Sequence, residues 1–258
     1  MISPLRVWTI GLNTMREAIR NKLLYTLLFF AIVMIGTGVI VGSISYVEGS
    51  RILQDVGMAS IRLFSMGIAI FLGVGLIHSE VQRRTIYTIL SKPVSRAEFL
   101  VGKFFGLAMT VWLLLVIMSV SFVVVSLASG APIDSGHLSA LALIGVELAI
   151  IVAVATLFSG FTTPMLASLF TLGTYMMGHL SRDLLQIGER GESESLRMMT
   201  RVLYRVLPDL ESFNLSIQAV HQLPIATGDI VWPVLYGVGY ITALLFVATF
   251  IFERRDFK

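Results

Sequence analysis

No cysteine occurs among the 258 residues, which removes disulfides, thiolate metal sites and cysteine nucleophiles from consideration. Charge is scarce too. Asp, Glu, Lys and Arg make up 14% of the chain against 56% hydrophobic residues, and a mean hydropathy of +0.86 is too apolar for a soluble domain. The phosphate-loop, His-Glu-x-x-His and Gly-x-Ser-x-Gly patterns are missing, so the sequence shows no catalytic chemistry of its own. His78, His137, His179 and His221 are scattered without metal-ligand spacing and read as interfacial or capping residues. The twelve methionines do not suggest a soft-metal site, since Met176-Met177 and Met198-Met199 are adjacent pairs that point to different helix faces.

What is present is a series of long apolar runs. The expected fold is all-α, a polytopic membrane protein with six transmembrane helices near residues 23–42, 57–79, 104–128, 138–158, 164–180 and 230–252. Each is of the order of the 20 residues that cross a hydrocarbon core of about 30 Å. Ser159-Gly160-Phe161-Thr162-Thr163-Pro164 divides a stretch too long for one helix. Arg6, Arg16, Arg20 and Lys22, then Arg83, Arg84, Lys92, Arg96 and Lys103, then Arg254, Arg255 and Lys258 all fall on one side of such a path. That side is expected to be cytoplasmic, with both termini there and the protein in the cell membrane. Arg62 stands near the outer end of the second run, where a long side chain snorkels, so position gives it no role. Glu147 lies near the middle of the fourth run. A carboxylate at that depth is either a translocation-path residue or a hydrogen-bonded group that fastens two helices.

Three hydrophilic segments punctuate the runs. Residues 1–22 form an amphipathic helix, with Leu5, Trp8, Leu12, Met15 and Ile19 on one side and Ser3-Pro4 as N-cap and first helical residue. Charges running up to the apolar segment argue against a signal peptide. The helix is expected either in the membrane interface or packed on the protein. Residues 80–103 form a basic loop, a short helix broken at Lys92-Pro93 and restarted by the capping box Ser95-x-x-Glu98. It reads as an ordinary positive-inside loop or as a protrusion that a partner grips. Residues 181–229, expected outside the cell, carry Arg197, Arg201 and Arg205 four apart, opposite Leu196, Met199, Leu203 and Val206. This stripe is a solvated face or a contact for outer-leaflet or anionic groups.

Glu80-x-x-Arg83-Arg84-Thr85-Ile86-Tyr87, Leu90-Ser91-Lys92-Pro93-Val94-Ser95-Arg96, Phe99 and Gly102-Lys103-Phe104 resemble the permease subunits of ABC-2 type transporters, as does Leu53-Gln54-Asp55-Val56-Gly57-Met58-Ala59. Within that family the run resembles the branch serving nitrous-oxide-reductase copper maturation. Leu207-Pro208-Asp209-Leu210-Glu211-Ser212-Phe213-Asn214 and Arg16-Glu17-Ala18-Ile19-Arg20-Asn21-Lys22 support the likeness. The resemblance implies one transmembrane domain over 1–258 that pairs with a second copy and docks a separate ATP-binding subunit. ATP and Mg would be held by that partner, with no cofactor on this chain. Residues 80–103 would contain the coupling helix, and Glu80, Arg83, Arg84, Thr85 and Tyr87 the coupling contacts. Export is the expected direction, membrane lipids surround the chain, and nothing points to nucleic acid.

Two other classes stay open at this level. A self-contained secondary transporter would need its own ion site, and Glu147 is the deep acid available. A scaffold or mechanotransmission subunit would instead use an ATPase to act through residues 181–229 on an extracytoplasmic accessory protein. An intramembrane enzyme is disfavoured because no paired acid-base or metal constellation is visible.

Overall fold

The computed structural model describes residues 3–45, 48–82, 95–190 and 193–254, all helical apart from turns and short connections. Helix α1 (Pro4–Ile19) starts behind Ser3 with proline in its first turn. Asn21 caps α2 (Lys22–Ser43) by accepting from the Leu23 N–H at 3.1 Å. Then come α3 (Gly49–Gln82), α4 (Arg96–Ala128) and α5 (Ser135–Ser159), the last opened by the Asp134 carboxylate accepting from the His137 N–H. Helix α6 (Pro164–His179) follows the expected break. A hairpin of α7 (Ser181–Arg190) and α8 (Glu194–Val206), a 3-10 turn (Glu211–Phe213), α9 (Ser216–Val220) and α10 (Thr227–Arg254) complete the chain. Within the described residues, α2, the Gly49–Gly75 part of α3, α4, α5 and α10 as far as Phe252 are long and apolar enough to cross a membrane.

Helix α5 is the axis. Its alternation of small and branched residues lets neighbours approach from every side, and Ile144, Leu148, Ile151, Val152 and Ala155 are fully enclosed by contacts from α3, α4, α6, α9 and α10. The Trp112 indole N–H on α4 donates to the Gly145 carbonyl at 2.8 Å and fixes the register of α4 on α5. Phe29 and Phe30 on α2, Val116, Val120 and Val124 on α4, and Leu235 and Phe246 on α10 are exposed. This is the apolar surface that a bilayer covers. We call the end of the bundle at Arg96, Ser159 and Phe252 proximal and the opposite end distal.

Helix α3 begins at Gly49, earlier than the apolar run at Gly57 suggests. The α2–α3 hairpin is tight because a Cβ on Gly42 or Gly49 would meet the other's carbonyl oxygen at 2.6 Å. Arg51 adds an ion pair to Glu48 at 2.7 Å. The earlier start moves Arg62 from a helix end to mid-bundle.

Helix α1 takes the packed alternative. Its small face of Gly11, Thr14 and Ala18 is buried on α4, leaving Leu5 and Trp8 exposed. The expected capping box forms, with Ser95 Oγ accepting from the Glu98 N–H and Glu98 accepting from the Ser95 N–H. Glu98 also accepts from the Ser3 N–H at 2.6 Å and lies 3.8 Å from Arg6. A single carboxylate thus caps α4 and anchors α1. Glu98→Ala is therefore expected to lower the unfolding temperature in detergent more than Ser95→Ala, which loses only one acceptor, about 1 kcal/mol. Equal shifts would mean that the anchoring contacts contribute nothing.

Helix α6 is short. Its 16 residues rise about 24 Å, less than the roughly 30 Å of a full crossing, so the fifth expected run is helical almost as bounded but too short to cross alone. His179 reaches the level of Glu147, midway along the 25 residues of α5. The space above it is filled by the returning chain. The Leu210 N–H donates to the Gly178 carbonyl, the 3-10 turn lies against α5 and α10, and α9 lies between α3 and α5.

Candidate functional site

The return of the chain over α6 brings four elements together at Glu147. Gly178 makes this possible, since a Cβ there would collide with the Leu210 side chain at 2.8 Å. Glu147, 1% exposed, has Oε1 2.9 Å from His179 Nε2. The other ring nitrogen, Nδ1, is 3.0 Å from Glu211 Oε2 on the 3-10 turn. Asn214 Nδ2 donates to Glu211 Oε1 at 2.9 Å. Arg62 of α3 approaches from the other side, Nη2 lying 3.8 Å from Glu147 Oε2. Tyr175, one turn before His179, packs T-shaped against the imidazole at 4.7 Å between centroids.

Charge therefore runs in a line, Arg62, Glu147, His179, Glu211, from the bundle interior to the distal surface. Glu147 Oε2 and Arg62 Nε and Nη2 are buried without a hydrogen-bond partner among the described residues. The Arg62–Glu147 contact is thus an ion pair held at a distance, in surroundings where charge is weakly screened. The hydrogen bond from His179 holds the Glu211 carboxyl below the usual carboxylate range, against the opposing effect of burial.

Glu211 also opens onto a distal basin of about 710 Å³, whose walls include Arg182, Arg205, Asp209, Trp232 and Tyr236. Arg182 donates through Nε and Nη2 to Asp209 Oδ2 at 2.9 and 2.8 Å, and this raises the guanidinium pKa further. The basin and the buried line share Glu211, so a surface event there can reach Glu147. Among the described residues no three or more His, Asp or Glu side chains converge so as to hold a metal ion. The chemistry on offer is charge stabilisation and proton holding.

Glu147 is thus joined directly to Arg62 and His179, and through His179 to Glu211, none of which its sequence position revealed. Arg62 is mid-bundle rather than snorkelling, because α3 starts early. His179 is neither interfacial nor capping, because α6 stops inside the bundle with its last residue on Glu147. A helical hairpin turning near Gly160 sets residue 147 across from the end of α6, and that reflection was the available signal. Arg197, Arg201 and Arg205 stand in three different surroundings. Arg201 faces Glu189 of α7 at 3.9 Å, Arg205 lines the basin, and Arg197 is half-buried. Glu80 belongs to the end of α3, while Arg83, Arg84, Thr85 and Tyr87 lie outside the described residues.

No curated protein gives a significant sequence match. The family described as ABC-2 family transporter protein matches residues 8–257, from the second turn of α1 to beyond α10. With that match covering nearly the whole of a helical chain that has five helices fit to cross a membrane, the protein belongs to the ABC-2 transporter family.

Proposed function

We propose that this chain is the permease subunit of an ATP-binding cassette exporter, working as a pair of copies with a separate ATPase that carries ATP and Mg. The observation that carries this reading is the family match over residues 8–257. The run at 80–103 supports placing it in the branch that serves nitrous-oxide-reductase copper maturation. In this reading the proximal end is cytoplasmic, the distal end extracytoplasmic, and the fifth of six crossings is completed by α6 together with the segment folded above it. Glu80, Arg83, Arg84, Thr85 and Tyr87 receive the ATPase motion. Glu147 and its partners lie on the path that this motion opens. The basic residues of the 80–103 run give it the positive-inside bias of a cytoplasmic segment.

Reversing the charges of Arg83 and Arg84 tests this directly. Purified in detergent, the native chain is expected to bring an ATP-binding protein with it, and the double reversal to lose that partner at unchanged yield of folded chain. Equal recovery of the partner would remove the coupling assignment.

A second reading, a subunit that transmits force to an extracytoplasmic accessory protein, draws on the α7–α8 hairpin. Its Ile187, Met198, Met199 and Val202 are exposed, and α8 packs mainly on α7. ATPase stimulation by a partner protein but by no soluble substrate would favour this reading.

A further inference from the structure

Hydrogen-bond stoichiometry fixes how many protons the buried line holds. Ionised carboxylates only accept, and a neutral imidazole offers one N–H and one lone pair. His179 has both ring nitrogens at hydrogen-bond distance from carboxylate oxygens, 2.9 Å to Glu147 and 3.0 Å to Glu211. A neutral ring between two ionised carboxylates would set a lone pair against a lone pair at one of these contacts. Both contacts are made only if the group holds one proton more.

Counting charge gives the same answer. Arg62 from α3 brings one positive charge, and Glu147 from α5 and Glu211 from the 3-10 turn bring two negative ones. Tyr175 of α6 packs T-shaped on the ring and, as a neutral phenol, adds none. A protonated His179 balances the set, whereas a neutral one leaves it with a net negative charge that only the exposed part of Glu211 can share with water. The imidazole is the one group that contacts both carboxylates, so a proton on the ring serves both contacts at once.

We propose that Glu147, His179 and Glu211 form a proton-binding site inside the bundle, in which the bound proton bridges the two carboxylates through the imidazole and is reached from the distal basin by way of Glu211. The route follows the exposure of the side chains, 39% at Glu211, 17% at His179 and 1% at Glu147. The proton is structural as well as mobile. It fastens the Glu211–Phe213 turn to α5 and α6, and its departure breaks one of the two links, loosening the segment that closes the bundle above α6. This goes beyond the permease assignment and holds whichever partner drives the chain.

Nitrogen NMR of the full chain, labelled at histidine and held in lipid nanodiscs, tests the site without any partner. The four histidines give few signals, and His179→Gln assigns the one in question. Both ring nitrogens of His179 are expected to be protonated at pH 7, with a proton affinity about tenfold or more above that of exposed His221. Glu211→Gln is expected to lower that affinity toward the His221 value. A neutral ring at pH 7 that titrates with His221 would overturn the proposal, and this reading needs only the unsubstituted chain. Hydrogen exchange across residues 208–214 checks the fastening. Exchange is expected to accelerate through the His179 transition beyond the intrinsic rise with pH, and to lose that extra step in His179→Gln. An unchanged profile in the native chain would overturn the fastening.

Discussion

Glu147→Ala is expected to destabilise the protein by about 3–5 kcal/mol, the usual cost of removing one partner from a buried ion pair. The loss is large because the carboxylate serves two cations. Without it Arg62 has no charged partner facing it from α5, and His179 keeps only Glu211. The double substitution Arg62→Leu with Glu147→Leu is expected to recover most of that stability. It removes one charge of each sign, leaves His179 with Glu211 as a neutral set, and fills the space with apolar atoms, an exchange that is often neutral or favourable. Unfolding of the detergent-solubilised chain, followed by denaturant titration, compares the two. A single substitution that costs less than about 1 kcal/mol, in the range of a surface pair, would show that Glu147 is not held between Arg62 and His179. Glu147→Gln separates structure from transport. It keeps an oxygen for His179 and is expected to leave assembly intact while altering transport, and normal transport by this variant would make Glu147 a purely structural residue.

The helical architecture was legible because apolar run length and capping chemistry are local. Ser3-Pro4, the Ser95/Glu98 box and the break between Ser159 and Pro164 all lie where the sequence places them. The site was only half legible. Glu147 was marked by the cost of a carboxylate at depth, but the groups joined to it come from α3, α6 and the turn after α8, and apart from the α5–α6 reflection that sets residue 147 across from the end of α6, no spacing along the chain links them. Arg62 was misplaced because hydropathy locates the apolar stretch and not the helix, and α3 begins before its apolar part. His179 was misread because its role depends on α6 ending at mid-height. That in turn depends on the 208–220 segment folding back, a tertiary event with no local signature. The Arg197, Arg201 and Arg205 stripe shows the converse. Its periodicity is helical as expected, but α7 covers part of it, so period alone does not say which charges share a surface.

Gly106→Val is expected to detach α1 from α4. A Cβ at Gly106 would press on the Gly11 carbonyl and on Thr14, and one at Gly102 would meet Ile10 at 2.8 Å. The obstacle at Gly106 includes helix backbone, which cannot rotate away as a long side chain does. Overpacking ordinarily costs about 1–3 kcal/mol, and here the upper part of that range is expected. Detachment would also strip the Ser3 and Arg6 contacts from Glu98 and the Glu17 contact, 3.7 Å, from Lys103. Trypsin reads the outcome, since cleavage at Arg16 and Arg20 is expected to quicken severalfold in Gly106→Val. Gly36→Ala, in open space on α2, is the matched control. It is expected to be neutral or to stabilise by about 0.5–1 kcal/mol through helix propensity. The consequence reaches function because Glu98 and Lys103 form the base of α4, directly after the segment assigned to ATPase coupling. If α1 braces that base, Gly106→Val will keep the ATPase partner bound but lose transport, since a push on residues 80–94 would be absorbed by a loosened α4. Retained transport with rapid cleavage of α1 would show that the push travels through α3 alone.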